Sequence, residues 1–471
     1  MVPATCFVGD MRVVADLPPI PGLQLNNQPI GAYFEQASRN PATGLPAIGL
    51  GVDGSRFSAT TSHASLISDD PTLFAALGDL LPPPATSPDP KIGLLLAMSY
   101  QAVPQAFGVM FDINGAPGEP FGPRQGCAVF LEGMFHSRAW ASDAEFADFV
   151  TYVAIHEIGH AFNLWHELTP SFMFPNSNPN NFAAVGFTGD QDSYLATADG
   201  PDGAFILPGL TPFGQRGPHA PTGIDNGATL LPGLPEDTAL RIALSRKELW
   251  SFEALELELR FGNPSRDIAV PDVFDPRHDD FRIWITTPRG ERRRYRPQTR
   301  VCVASGERVL KAGEPYERDI SIFVQSGGYT FDEAGVFSVQ VELHHDGGVL
   351  RSNTASCEVK RGDPGDPEFR AAQDVLRSPA GATLLRFRHK PPTVPEYERL
   401  LAFVKAFPVS PAAAAIHYAL GRALLKSADK TPPAAPRFTW LNEHGRVHLA
   451  RALEHRDLGL HARRIAETLV N

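Results

Sequence analysis

The chain has 471 residues, 43% of them apolar and 20% charged, which is enough apolar material for several cores and excludes wholesale disorder. Its 44 prolines and 41 glycines make up roughly 18% of positions, against an average near 12%, so many turns and linkers are expected and a compact all-helical protein is excluded. With 42 Lys+Arg against 53 Asp+Glu the net charge is −11, the opposite of a duplex-binding footprint, and no nucleic-acid partner is expected.

Four cysteines (Cys6, Cys127, Cys302 and Cys357) are too few for a disulfide scaffold and read as small buried thiols. Cys302 and Cys357 can pair only if their strands are neighbours in an oxidising compartment. The N-terminus has no basic stretch leading into an apolar one, so the chain as given is read as cytoplasmic or exported by another route. The apolar run 92–98 is far short of the ~20 residues of a membrane span.

In chain order, residues 1–40 show no period and stand apart as an N-terminal extension or pro-segment. Asp70 and Pro71 open the first helix, with Leu73, Phe74, Leu77, Leu80 and Leu81 at helical spacing. A proline-rich connector follows over 82–90. Three short apolar runs, 92–100, 107–112 and 127–131, read as strands, with a Gly/Pro-rich loop over 114–125. Ser142 and Glu145 form a capping box that starts a long helix running to about 164. Thr188 and Gln191 form a weaker second box, and 199–236 reads as a meander. Alternation then marks strands at 240–244, 254–259, 281–286, 321–324, 336–343 and 355–359, the pattern of a β-sandwich. A linker at 361–367 leads to helices over 396–407, 411–427 and 442–469. The expected fold class is multidomain α+β: segment 1–40, a domain over 41–236 with a mixed twisted sheet and a long helix, a sandwich over 237–361, and a helical region over 368–471.

The chemistry lies in His156-Glu157-Ile158-Gly159-His160-Ala161-Phe162-Asn163-Leu164-Trp165-His166. Four residues apart on a helix, His156 and His160 project from one face, a spacing at which two neutral imidazoles can share a zinc ion. Glu157 is turned about 100° from His156, where its carboxylate can polarise a metal-bound water. His166 can be a third ligand only if the helix stops and turns sharply, and Asn163 lies midway; after Gly, Asn best tolerates the left-handed conformation required. Three histidines leave one position open for water, as in a catalytic site.

This stretch resembles the metzincin zinc peptidases, whose signature is H-E-x-x-H-x-x-G-x-x-H followed by a Met-turn; here Asn163 stands at the Gly position. Ser171-Phe172-Met173-Phe174-Pro175 looks like the Met-turn, with Met173 forming an apolar floor under the histidines. The short interval from His166 to Met173 is like that of matrixin-like members, and Pro175 in place of tyrosine implies no tyrosine ligand. The resemblance implies a helix and strands before the active-site helix and an edge strand along the cleft, for which Cys127, Ala128, Val129 and Phe130 are the candidate, pairing with an extended substrate. The whole arrangement is similar to bacterial metzincin-like proteins carrying an immunoglobulin-like domain. The implied function is a zinc endopeptidase, one catalytic Zn2+ on His156, His160 and His166, in which Glu157 takes a proton from zinc-bound water and returns it to the leaving amine. The implied partner is a peptide or protein substrate, its side chains selected by the wall over 187–195.

Other features read more plainly. Arg289, Arg292, Arg293, Arg294, Arg296 and Arg300 suggest a solvated hairpin face rather than a polyanion site. His444, His448, His455 and His461 read as polar faces of an end helix. Cys6 as a latency ligand has no supporting context, and Asp112 with Asn114 falls short of the ~6 oxygens a calcium site needs. The alternative function is an interaction or scaffold protein whose metzincin-like domain is idle or restricted to one partner.

Overall fold

The computed structural model describes residues 1–10, 23–53, 66–67, 70–81, 89–101, 103, 106–112, 124–167, 169–174, 182, 185–211, 213, 238–262, 265–271, 274–302, 307–325, 328–345, 348–387, 392–429, 431, 433–455, 458 and 460–470. The chain is a multidomain mixture of helices and sheets that divides into two compact units. The first takes residues 1–115, 119–224 and 298–305, the second residues 116–118, 225–297 and 306–471.

The first unit is built on a six-stranded sheet. Its strands are β1 (Val2–Asp10), β2 (Ile48–Asp53), β3 (Lys91–Ala97), β4 (Gly108–Phe111), β5 (Gly126–Phe130) and β6 (Thr299–Cys302), in the order β6-β4-β5-β3-β1-β2. β2, β1, β3 and β5 run parallel, with Val2 opposite Ile48, Thr5 opposite Lys91 and Gly93 opposite Gly126. β4 is antiparallel to β5, and β6 is antiparallel to β4. Strand residues alternate between two covered faces, which is why the strands read as continuous apolar runs rather than as alternation with polar residues. Cys6, Leu94, Met110, Cys127 and Val129 pack with helices α1 (Ile30–Ala37) and α3 (Asp143–Ala161). Phe7, Leu95, Val109, Phe111, Ala128, Phe130 and Val301 pack with α2 (Asp70–Leu80) on the other face.

Two expectations change in this unit, those for residues 1–40 and for the edge strand, while the reading of Cys6 as a buried thiol stands. Residues 1–10 and 23–40 are not an appendage: β1 is an inner strand of the sheet and α1 packs into the same core, so removing them would open that core, while 11–22 lie outside the described residues. Cys6 is a fully buried free thiol whose pKa burial pushes up to about 12, which suits a core residue and not a latency ligand. The stretch Cys127, Ala128, Val129 and Phe130 is no edge: β5 pairs with β3 on one side and β4 on the other. All five of its residues are buried, as an interior strand requires. The connector at 82–88 and the loop at 113–123 lie outside the described residues.

The second unit has two sheets closing on one apolar core. Leu240–Leu244, Glu256–Phe261 and Tyr316–Ser321 form an antiparallel sheet. Phe281–Thr286, Gly335–His345 and Ala355–Val359 form the centre of the other. Leu257, Leu259 and Phe261 from the first meet Ile283, Ile285, Val339 and Val341 from the second. Cys357 is a free buried thiol, and the side chain of Cys302 lies outside the described residues. Most of the arginine run belongs to this unit and is paired: Arg289 with Glu333 (2.9 Å), Arg293 with Asp332 (2.6 Å), and Arg292 with Glu342 (3.3 Å).

Six helices follow: α5 (Pro367–Leu376), α6 (Pro379–Phe387), α7 (Val394–Ala406), α8 (Pro411–Asp429), α9 (Pro436–Leu453) and α10 (Leu460–Val470). The sandwich and the helices make one unit, their shared core joining Phe252 and Phe323 to Leu376, Leu400 and Leu420. The region 442–469 is two helices, α9 and α10, rather than one. α8 and α9 cross at Gly421 and Gly445, where a Cβ on Gly421 would stand 2.9 Å from the Gly445 carbonyl oxygen.

Candidate metal centre

α3 carries the site. Ser142 caps it, its Oγ accepting from the Glu145 N–H at 3.1 Å, while the Glu145 carboxylate takes the Ala141 N–H at 2.7 Å. From Phe149 to Ala161 every residue is buried, so the helix is enclosed all round and its polar side chains need partners inside the protein.

The helix stops at Ala161, three residues before its expected end, and Asn163 is the reason. At φ +65° it occupies the left-handed region. The Leu164 N–H bonds the Gly159 carbonyl at 3.0 Å and the Asn163 N–H bonds the His160 carbonyl at 2.9 Å, which is a Schellman stop. The Asn163 amide donates to the Tyr194 hydroxyl at 3.2 Å. This turn brings His166 back under the helix.

The three imidazoles converge. His166 Nε2 lies 3.2 Å from His156 Nε2 and 3.1 Å from His160 Nε2. The far nitrogens face carbonyls: His156 Nδ1 to Phe172 O at 2.5 Å and His160 Nδ1 to Leu164 O at 2.7 Å. A carbonyl only accepts, so Nδ1 carries the proton on both rings and the Nε2 lone pairs point at one another. Three neutral donors at this separation are what a tetrahedral ion with bonds near 2.0–2.1 Å requires, since its ligand atoms stand roughly 3.3 Å apart. Burial, with His156, His166 and Arg300 nearby, holds the His160 pKa well below the usual imidazole range, which keeps it a neutral ligand. Among the described residues these three form the one group of metal-ligating side chains close enough to hold an ion.

Glu157 is fully buried and faces β4. A Cβ at Gly108 would stand 2.6 Å from its Cγ and 2.7 Å from its Cδ, so only glycine leaves the space that carboxylate fills. Met173 is fully buried against the helix, and a Cβ at Gly159 would strike its Sδ. Glu167 fixes the loop between His166 and Met173: its N–H bonds the Met173 carbonyl at 3.0 Å and its Oε2 accepts from Gln191 at 2.9 Å. Gln191 also closes the box at Thr188 that starts α4 (Gly189–Leu195).

Of the residues that sequence reading groups, His156, His160 and His166 converge past the turn at Asn163, while Glu157 packs against Gly108 and Met173 against Gly159. It misses Gly108, Glu167, Arg300 and Arg124. Arg124, wholly buried, donates to the carbonyls of Ala161 (2.5 Å), Ile206 (3.0 Å) and Leu207 (2.7 Å), tying the C-terminus of α3 to the following chain. Nothing in its Gly/Pro-rich surroundings signals this. Arg300 leaves the arginine run: its guanidinium lies 4.6 Å from the Trp165 ring and 4.1 Å from the Phe213 ring. In the expected wall, Phe187 packs on Phe34 and Phe172 at 5.2 and 5.0 Å between ring centroids. Asp112 accepts from the Arg124 backbone N–H rather than serving a cation, while Asn114 and Pro175 lie outside the described residues.

No family profile matches the chain, and no curated protein matches it. Among solved structures the chain is similar to the sporulation control protein Spo0M from Bacillus subtilis, at 10% identity over 30% of this chain, with a TM-score of 0.19. The match spans 55% of that protein. So slight a likeness carries no argument about fold or function.

Proposed function

We propose that this protein is a zinc-dependent endopeptidase of the metzincin kind, acting on extended peptide segments. The observation that carries the reading is the convergence of three Nε2 atoms at 3.1 and 3.2 Å, with the Nδ1 atoms of His156 and His160 held by carbonyls. Further support comes from Glu157, next in the chain to His156 and buried against Gly108 of the antiparallel β4, and from Met173, buried against Gly159 of the same helix.

A zinc ion on His156, His160 and His166 would supply Lewis acidity, lowering the pKa of a water towards about 7 and polarising a substrate carbonyl. The remaining work falls to this chain. Glu157 accepts a proton from the attacking water and delivers it to the leaving amine, so that water is added across the amide bond. Its carboxylate is held in a dry slot between α3 and β4 that Gly108 keeps open. Glu167 and Gln191 hold the loop from His166 to Met173 in place.

The test combines zinc content by elemental mass spectrometry with cleavage of an unbiased peptide library. Glu157→Gln is expected to keep its zinc and lose cleavage, and His160→Ala to lose both. A wild-type chain that takes up no zinc, or cleavage that survives Glu157→Gln, overturns the reading.

A further inference from the structure

We propose that residues 298–302 are an internal occupant of the substrate-pairing edge, so that the enzyme is latent until this strand leaves β4. The inference rests on the peptidase reading above. β4 is the strand beside the catalytic carboxylate, since Gly108 abuts Glu157. Its inner side is paired with β5, which leaves its outer side as the place where an extended peptide would add.

β6 fills that side over the full length of β4. Thr299, Arg300, Val301 and Cys302 stand opposite Phe111, Met110, Val109 and Gly108, antiparallel. The Asp112 N–H extends the ladder, donating to the Gln298 carbonyl at 2.6 Å. A peptide pairing with β4 from outside would need the same backbone groups, so the two are mutually exclusive.

The strand is also a late addition to the sheet. The other five strands come from residues 2–130, whereas β6 arrives at 299 from between stretches assigned to the second unit. Its described side chains anchor on both faces of the sheet. Val301 is 3% exposed and sits in the core under α2, and the Thr299 hydroxyl donates to Asp70 at 3.3 Å. On the other face Arg300 stacks on Trp165 and Phe213, and the Phe213 ring is 5.9 Å from that of His160. Side chains that alternate between a core anchor and the wall of the metal site are what a bound extended ligand presents. A four-residue strand paired only with the outer side of β4 can leave without breaking any pairing among the other five strands.

Two measurements test this. In wild-type, zinc-loaded protein, hydrogen exchange followed by mass spectrometry is read with and without a zinc-chelating peptide hydroxamate. Residues 299–302 are expected to lose protection on binding while 108–111 keep theirs, one strand having replaced another. Separately, Val301→Asp is expected to retain zinc and raise kcat/KM at least tenfold, and a synthetic peptide of residues 297–303 should inhibit that variant in trans more strongly than a scrambled one. Should Val301→Asp not fold, the exchange experiment alone decides. Protection at 299–302 that persists with the hydroxamate bound, or a folded, zinc-loaded Val301→Asp that cuts no faster than wild type, overturns latency and leaves the peptidase reading standing. Release of 299–302 by the hydroxamate in a protein that cuts no peptide, with or without Val301→Asp, would uphold the occupied edge and overturn the peptidase reading.

Discussion

Two helices of this protein each carry a pair of histidines four residues apart, and only one pair belongs to a group that could hold a metal ion. On α3, His156 and His160 both face inward and meet His166. On α9, His444 is half-buried and stacks on Trp440 at 4.3 Å between ring centroids, while His448 is buried. His448 spends both ring nitrogens locally, Nε2 with the Tyr397 hydroxyl at 2.9 Å and Nδ1 with His417 Nδ1 at 2.8 Å. The difference lies in what surrounds the spacing. α3 ends in a left-handed turn that returns a third imidazole, and carbonyls outside the regular helix orient two of the rings. α9 runs on for about one and a half turns past His448 to Leu453 and has neither. The buried position of His448 also corrects its reading as part of a polar helix face.

The largest expected effect separates the two pairs outright. His160→Ala should reduce bound zinc to background and lower cleavage by at least ~10³-fold, whereas His448→Ala should leave zinc stoichiometry unchanged, both read by elemental mass spectrometry and peptide turnover. Next, Glu157→Gln should keep one zinc per chain and lower kcat/KM by about 10²–10⁴-fold, the range for loss of a general base. Gly108→Ala should keep zinc yet lower kcat roughly tenfold, because the new methyl takes the volume of the Glu157 side chain. A Gly108→Ala enzyme with full activity would show that the carboxylate works from elsewhere.

Two smaller effects concern stability. Asn163→Ala should destabilise the protein by about 1 kcal/mol in chemical denaturation, since a Cβ residue without a polar side chain pays for the left-handed conformation. Asn163→Gly should restore the turn while losing the hydrogen bond to Tyr194. The buried His417–His448 contact between α8 and α9 should respond to acid. Burial first, and neighbouring histidines second, depress His448 to about 3 and His417 to about 4. Folded pKa values below the unfolded value near 6.5 mean that the unfolded chain binds more protons between about pH 3 and 6.5. Their contribution is therefore complete above pH 6.5 and is lost as pH falls towards 3. Denaturation midpoints between pH 7.5 and 5 should drop for wild type and drop less for His448→Gln.

The candidate site was legible because its signal is local. Helical spacing places His156 and His160, and the tolerance of Asn for positive φ foretells the turn to His166. Ser142 announces the start of α3. The positions that escaped are those whose role depends on distant chain. Gly108 is one of 41 glycines until Glu157 is packed against it. Arg124 has no local partner pattern, and Arg300 hid in a run of arginines whose other members pair with Glu333, Asp332 and Glu342. The edge strand was misplaced for the same reason: β5 and β4 are both short apolar runs, and only pairing tells an inner strand from an outer one.

Sequence alone therefore grouped His156, His160 and His166, placed the turn that brings them together and marked the division into α- and β-rich stretches. Each of these depends on residues within about one or two helical turns of one another, where backbone geometry is set by local sterics and hydrogen bonding. Tertiary structure alone decided that residues 2–10 are a core strand, that the sandwich and end helices are one unit, and that a segment from position 299 lies along β4. Those are pairings across tens to hundreds of residues. They are selected by which apolar faces and strand edges can be covered together in the finished fold, and no local pattern records that choice.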